Sequence, residues 1–219
     1  MIRPLMSDTN IPEQFRGVRL SDYDTARGDP RILESLEKWK PSLERPSLAL
    51  VGPPGVAKTM LACAELNEQQ AGLRFKLAGG GPVPADSQQV LRQQRVPVYF
   101  ITLAELIQLE IQSIKLFDLA TKGEERLDEW QDIDRLLTDL RGRVKYLVID
   151  DVGKEYRTAS GFAVSTFENL ARTRHNQGLA TIYTSNLPLE RWLTLYSPSM
   201  ENFIRRSSLV VTFRKQHSS

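Results

Sequence analysis

"LALVGPPGVAKTMLACAEL", residues 48–66, decides how this chain folds. Leu48 to Val51 form a short apolar run of the kind a buried strand needs, and the chain then breaks into Gly52, Pro53, Pro54 and Gly55. From Lys58 to about Gln70 the apolar positions Leu61, Ala64 and Leu66 fall at helical spacing, which predicts a helix. Gly52, Pro53, Pro54, Gly55, Val56, Ala57, Lys58 and Thr59 fill the pattern G-x-x-x-x-G-K-[ST], with Ala57 where glycine is usual. Such a loop points backbone N–H groups at phosphate oxygens, and the helix behind it adds the positive end of its dipole. Lys58 would reach the β- and γ-phosphates, the Thr59 hydroxyl would ligate Mg²⁺, and Met60 closes the candidate ATP-binding set. The alternative is a Gly/Pro turn with no ligand. Ala57 would be held at positive φ, which costs an L-residue roughly 1–2 kcal/mol. A strain of that size weakens nucleotide binding by about tenfold without abolishing it.

The chain has 219 residues, 41% hydrophobic and 26% charged, with a formal charge of +2. That suits one globular domain and does not by itself imply a polyanionic partner. A lone cysteine, Cys63, forms no internal disulfide and leaves no zinc cluster, so a reduced, cytoplasmic protein with a core thiol is expected. The N-terminus lacks a signal pattern, and no apolar stretch approaches the roughly 18 residues of a membrane span. No membrane partner is expected.

Residues 1–30 are polar, with Pro12 and Pro30, and read as an extended N-terminal arm before a helix near 31–40; residues 31–219 then form the main domain. "LAGGGPVPADSQQ", 77–89, has the turn formers of a loop. Further strands are predicted at "VPVYFITL" (96–103), "KYLVIDD" (145–151), "LATIYTSN" (179–186) and "SLVVTF" (208–213). Behind the second, Leu103, Leu106, Ile107, Ile111, Ile114 and Phe117 fall at helical spacing on what would be an inward face. Continuous apolar strands separated by helices require cover on both faces. The fold class is therefore α/β, a three-layer, five-stranded parallel sheet with a phosphate-binding loop.

Two strand ends carry chemistry. "YLVIDD" ends in two carboxylates: Asp150 is placed to hold Mg²⁺ and Asp151 to orient or deprotonate the attacking water. "TIYTSN" sets Asn186 at the strand edge where ligands of open α/β sheets sit, able to hold that water or touch the γ-phosphate. The plain alternatives are a solvated strand end and a turn-forming asparagine.

Together these residues resemble the AAA+ ATPases, within them the DnaC/DnaI-type helicase loaders and the IstB-like transposition ATPases, over most of the chain. "IPEQFRGVRLSDYD" looks like the segment that leads into that group's core and borders the adenine. "GPPGVAKT" resembles Walker A, "LVIDDVGKE" Walker B and "TSNLPLE" sensor 1. "MENFIRRSS" is similar to a motif with two arginines four residues apart: Asn202 stands for the first, and Arg206 fits the second, an arginine finger acting in trans. Arg205 is extra, and Arg174 is a fallback finger. The resemblance implies ATP hydrolysis with Mg²⁺, an ATP-dependent oligomer (a hexamer or open spiral), binding to single- or double-stranded DNA, and a replicative helicase or transposase as partner. It also implies a core without a C-terminal helical lid; helicase loaders usually carry an N-terminal module that grips the helicase, and the residues before this core are expected to be too few to hold one.

Residues 103–140 hold ten Asp and Glu against four Lys and Arg, whereas 141–219 hold six against twelve. The resemblance would place DNA on the helices after the second strand, where Lys115, Lys122 and Arg126 are the candidates, and their acidic neighbours oppose a phosphate backbone. A nucleotide-gated interaction module with little hydrolysis is the competing reading. A P-loop small-molecule kinase is another, disfavoured by Asn186 and by the lack of an arginine-rich lid.

Overall fold

The computed structural model describes residues 9–26, 28–77, 98–122, 126–154 and 161–215, and of 73–77 the helical backbone. Helix α1 spans Pro30–Lys38 and starts where the Asp29 carboxylate accepts from the Arg31 N–H, with Pro30 at the first helical position. Strand β1 is Ser47–Val51, α2 Lys58–Leu77 and β2 Val98–Thr102. Helix α3, Leu103–Thr121, opens on a reciprocal cap between Thr102 and Glu105. Then come α4 (Leu127–Gly142), β3 (Tyr146–Asp150), α5 (Gly161–Asn176), β4 (Ala180–Ser185), α6 (Trp192–Leu195), α7 (Pro198–Ser207) and β5 (Ser208–Thr212). Helix α2 runs past the expected end at Gln70, because Gly72, where an added Cβ would meet open space, is a helix weakener of only about 1 kcal/mol. The expected loop 77–89 lies outside the described residues from 78 onward.

All five strands are parallel, in the order β2-β3-β4-β1-β5. The chain leaves β1 for the far edge, fills in towards β4, and then crosses β1 to lay down β5. That reversal beside β1 is the switch point at which ligands of such sheets bind. Alternate strand residues feed two cores. Leu48, Leu50, Phe100, Val148 and Ile182 pack under α2 with Leu61, Cys63 and Leu66; Ala49, Ile101, Leu147, Ile149 and Tyr183 pack under α3 to α7 with Leu106, Leu137, Phe167 and Trp192. Burying each large side chain fully contributes about 1.5–3 kcal/mol. Cys63 is one of them, its thiol pushed up to about 12 by burial, as expected of a core cysteine.

Two expectations change. Within the expected arm, residues 9–26 make two short helical turns that bury Ile11, Leu20 and Tyr23 in the α2-side core. The Thr9 carbonyl accepts from the Phe100 N–H at 2.9 Å, and the Asn10 amide donates to the Phe100 carbonyl at 2.8 Å, so this stretch lies along the outer side of β2. On α3, Leu103, Leu106 and Leu116 are buried and Ile107 is partly so, but Ile111, Ile114 and Phe117 face outward at 38%, 57% and 50% exposure. The helix is where its spacing puts it, yet its second half points apolar residues at solvent. Among the described residues no helix is long and apolar enough to cross a membrane.

Candidate functional site

The loop between β1 and α2 is shaped by three residues at positive φ: Gly52 (146°), Gly55 (81°) and Ala57 (65°). A Cβ on Gly52 would lie 2.5 Å from the Phe213 carbonyl oxygen, so glycine is needed there for β5 to pack alongside. Ala57 sits in the left-handed region, as expected, and its methyl rests against the α2-side core. Because α2 begins at Lys58, the N–H groups of Lys58, Thr59 and Met60 fall in a first turn that has no intrahelical acceptor for them. The Leu61 N–H is the first to be taken, by the Ala57 carbonyl. Val56 and Met60 are half-buried, and Pro54 and Gly55 exposed.

Lys58, Asp150, Asp151 and Asn186 come together from the start of α2 and the ends of β3 and β4. The Lys58 ammonium donates to the carbonyls of Gly52 (2.9 Å) and Pro53 (2.7 Å) and to Asn186 Oδ1 (2.9 Å). It is 6% exposed; burial lowers its pKa, and the Asp151 and Asp150 charges oppose that. The Thr59 hydroxyl donates to Asp150 Oδ1 at 2.9 Å, and the Thr184 hydroxyl to the same oxygen at 2.5 Å. Burial raises the Asp150 carboxyl above its ordinary range, against the pull of those two donors. Asp151 leaves the strand at φ 60°, a conformation that stores strain. Its N–H donates to Thr184 Oγ1 at 3.0 Å, and its carboxylate accepts from the Asn186 amide at 3.3 Å. Its other oxygen pairs with Lys154 at 2.5 Å.

Thr184 and Lys154 join the candidate site by these contacts and were not singled out from the sequence. Thr184 could have been found, since it lies two residues before Asn186, which directly follows β4, and strand alternation carried on by one residue would give both one face. Lys154 carries no such signal beyond following a glycine turn. A cavity of about 440 Å³ opens beside this cluster, lined by Val152, Gly153, Lys154, Asn186 and Leu187.

The donor set fits a magnesium nucleotide. Among the described residues no three His, Cys, Asp or Glu side chains gather, so no all-protein metal cage forms. Thr59 and Asp150, 91 residues apart yet in direct contact, are instead the hydroxyl and carboxylate that Mg²⁺ takes when phosphate oxygens and water supply the rest.

The arginines divide. Arg174, the fallback finger, is 0% exposed; its guanidinium donates to the carbonyls of Leu140, Val144 and Ala180 and to the Thr181 hydroxyl. Burial lowers its pKa to about 10, which leaves it a cation, and it is a clasp between α4, α5 and β4 that cannot reach a nucleotide. Arg205 pairs with Glu201 and Glu190 of its own chain. Arg206 is exposed and makes no ion pair or hydrogen bond with the described residues.

Arg206 stands on α7, which begins at the Ser197 cap and Pro198. Glu168 accepts from the Ser197 hydroxyl, and Arg172 both donates to Ser199 and lies 4.8 Å over the Phe203 ring. Arg206 lies just before Ser208, which pairs with Ser47 at the start of β1, whereas the phosphate loop follows the end of β1. The five residues of β1 put about 15 Å between them at about 3.3 Å per residue. Arg206 lines a cavity of about 450 Å³ with Glu44, His175, Ser199, Asn202, Phe203 and Ser207 at that opposite edge.

On the hairpin of α3 and α4, Lys122 pairs with Asp118 at 2.6 Å and Arg126 with Glu129 at 3.8 Å. Of the three candidate DNA contacts, Lys115 is exposed and makes no ion pair among the described residues.

No family model matches the chain, and no curated protein sequence matches it significantly. Solved structures do match its fold. The DnaC helicase loader is similar at 19% identity, over 93% of this chain and 100% of that chain, with a TM-score of 0.59. DnaI is similar at 19% identity over 93% and 94%, with a TM-score of 0.61. AMPPCP-bound DnaA from Aquifex aeolicus is similar at 16% identity, over 93% of this chain and 51% of that chain, with a TM-score of 0.57.

Proposed function

We propose that this chain, which has the AAA+ fold found in helicase loaders and DnaA, binds and hydrolyses ATP as a switch for assembly on DNA, and that the assembly loads or regulates a replicative helicase or a transposase. The observation that carries the reading is the contact of Thr59 with Asp150, with Lys58 bridged to Asn186 beside it. A hydroxyl, a carboxylate, an ammonium and an amide converge there on one loop and one helix N-terminus.

In this reading the first-turn N–H groups of α2 and the loop amides hold the phosphates. Lys58 exchanges its bonds to the Gly52 and Pro53 carbonyls for phosphate oxygens. Thr59 and Asp150 hold Mg²⁺, which when bound neutralises charge on the β- and γ-phosphates. Asn186 and Asp151 orient the attacking water; Lys154 fixes one Asp151 oxygen and keeps the carboxylate facing the cluster. Arg206 is about a strand's length from its own loop, so its guanidinium serves the γ-phosphate of an adjacent copy. Hydrolysis then requires assembly, and DNA binding follows assembly and weakens with salt.

The solved DnaA structures support the reading as similar folds, one described with AMPPCP and one with AMPPCP and single-stranded DNA. The test is equilibrium titration with a labelled non-cleavable ATP analogue, followed by phosphate release with and without single-stranded DNA. Micromolar binding and DNA-stimulated release are expected. Binding without release would favour the interaction-module alternative, for which the strain at Ala57 is the specific observation.

A further inference from the structure

The apolar surface on the α3–α4 hairpin lies outside the nucleotide reading and stands whether or not that reading does. Ile111, Ile114 and Phe117 succeed one another three residues apart on α3, all exposed. The Phe117 ring meets Trp130 of α4 with centroids 5.4 Å apart, and Leu127, 52% exposed, sits one turn before Trp130. The result is a continuous apolar strip across two helices, whereas most of the large apolar side chains among the described residues are buried in the two cores. Its surroundings are acidic, with eight Asp and Glu against five Lys and Arg over the described residues 103–122 and 126–142. Four of those five bases are paired within the hairpin, Lys122 with Asp118, Arg126 with Glu129, Arg135 with Asp132 and Arg141 with Glu110, and of the remaining acids Glu105 and Asp128 are exposed.

We infer that this strip docks a basic amphipathic helix of a partner protein, whose apolar stripe covers Ile111, Ile114, Phe117 and Leu127 while its Lys and Arg face the acidic rim. An unpartnered apolar strip calls for a protein surface. The acidic rim selects the sign of the partner: it repels a phosphate backbone, and it repels a second copy of itself. The sites that the resemblance assigns to DNA thus lie on a surface whose charge favours a basic protein.

Trp130 supplies the test. Trp39 and Trp192 are 4% and 0% exposed, so the tryptophan accessible to acrylamide quenching reports this hairpin. The probes are a synthetic Lys/Leu amphipathic helix, the same composition scrambled to remove the apolar face, a Glu/Leu amphipathic helix, and a single-stranded oligonucleotide. The Lys/Leu helix should protect Trp130 at micromolar concentration, less so as salt rises, and the other three should not. The double variant Ile114→Ser/Phe117→Ser should lose at least about tenfold in affinity for it, with unchanged circular dichroism and nucleotide binding. Equal protection by the scrambled peptide would mean charge attraction alone, and protection by the oligonucleotide would mean a DNA surface. Self-association abolished by the same double variant would mean a contact between copies. Each of those three results overturns the inference.

Discussion

The two edges of the sheet are built on opposite terms. At the edge where β1, β3 and β4 end, polar groups satisfy one another: Lys58 has three acceptors, Asp150 two hydroxyl donors, and Asn186 bridges Lys58 and Asp151. At the edge where β1 and β5 begin, polar groups are left over. Arg206 is unpaired among the described residues, and the hydroxyls of Ser207 and Ser208, although buried, have no hydrogen-bond partner there. Buried polar groups ordinarily find partners, because leaving one unmade costs about 1–3 kcal/mol. One edge thus satisfies its polar groups from within, and the other leaves a charged side chain exposed.

The sharpest way to break this contrast is to separate the edges into different copies. Arg206→Ala should lower ATP turnover by about a thousandfold while leaving nucleotide affinity intact. Mixing it with inactive Lys58→Ala should restore phosphate release, since a mixed interface joins an intact loop to an intact arginine. Activity of Arg206→Ala alone at the wild-type rate would place the whole site in one copy.

The second prediction concerns Glu65, which α2 carries down to the edge opposite the loop, close to Lys40 and Tyr146. It is 3% exposed with one bond, from Gln69, and burial pushes its carboxyl up from 4.5 to about 7. A folded pKa above the unfolded one means the folded state holds the proton more tightly. The stability it contributes is full below pH 4.5 and is lost as pH rises through about 7. At 1.36 kcal/mol per unit the loss is about 3 kcal/mol. Denaturant midpoints measured on either side of that window should diverge in the wild type and converge in Glu65→Gln.

At the edge with the loop the expected effects are smaller. Lys58→Ala should weaken binding of an ATP analogue by tenfold to about a hundredfold, the value of hydrogen bonds to a charged group. Ala57→Gly should tighten it by up to about tenfold by releasing the positive-φ strain, and unchanged affinity in a titration would show that the loop absorbs the methyl without cost.

How much of this was legible depended on whether the signal was local. β1, its loop and the start of α2 carry their instructions in consecutive residues, and Ala57 took up the positive φ its place in the pattern demanded. The ends of β3 and β4 were readable for the same reason. What failed needed knowledge of distant packing. Spacing placed Ile111, Ile114 and Phe117 on a helix but could not say that the core would take only Leu103, Leu106 and Leu116 fully from it. Arg174 looked like a free cation until three carbonyls from two other segments closed on it. Ile11, Leu20 and Tyr23, irregularly spaced in a polar stretch, gave no periodicity to read, although all three belong to the core.

The pairing of Thr9 and Asn10 with Phe100 has a consequence for solubility. A parallel sheet whose outermost strand kept its amides open would offer a template for unwanted strand addition and fibre growth. Here a few residues from the start of the chain occupy the central N–H and C=O on that side of β2. Trimming the protein to residue 11 would leave the phosphate loop untouched and yet turn a protected margin into a sticky one, so shortened forms should precipitate before they lose nucleotide.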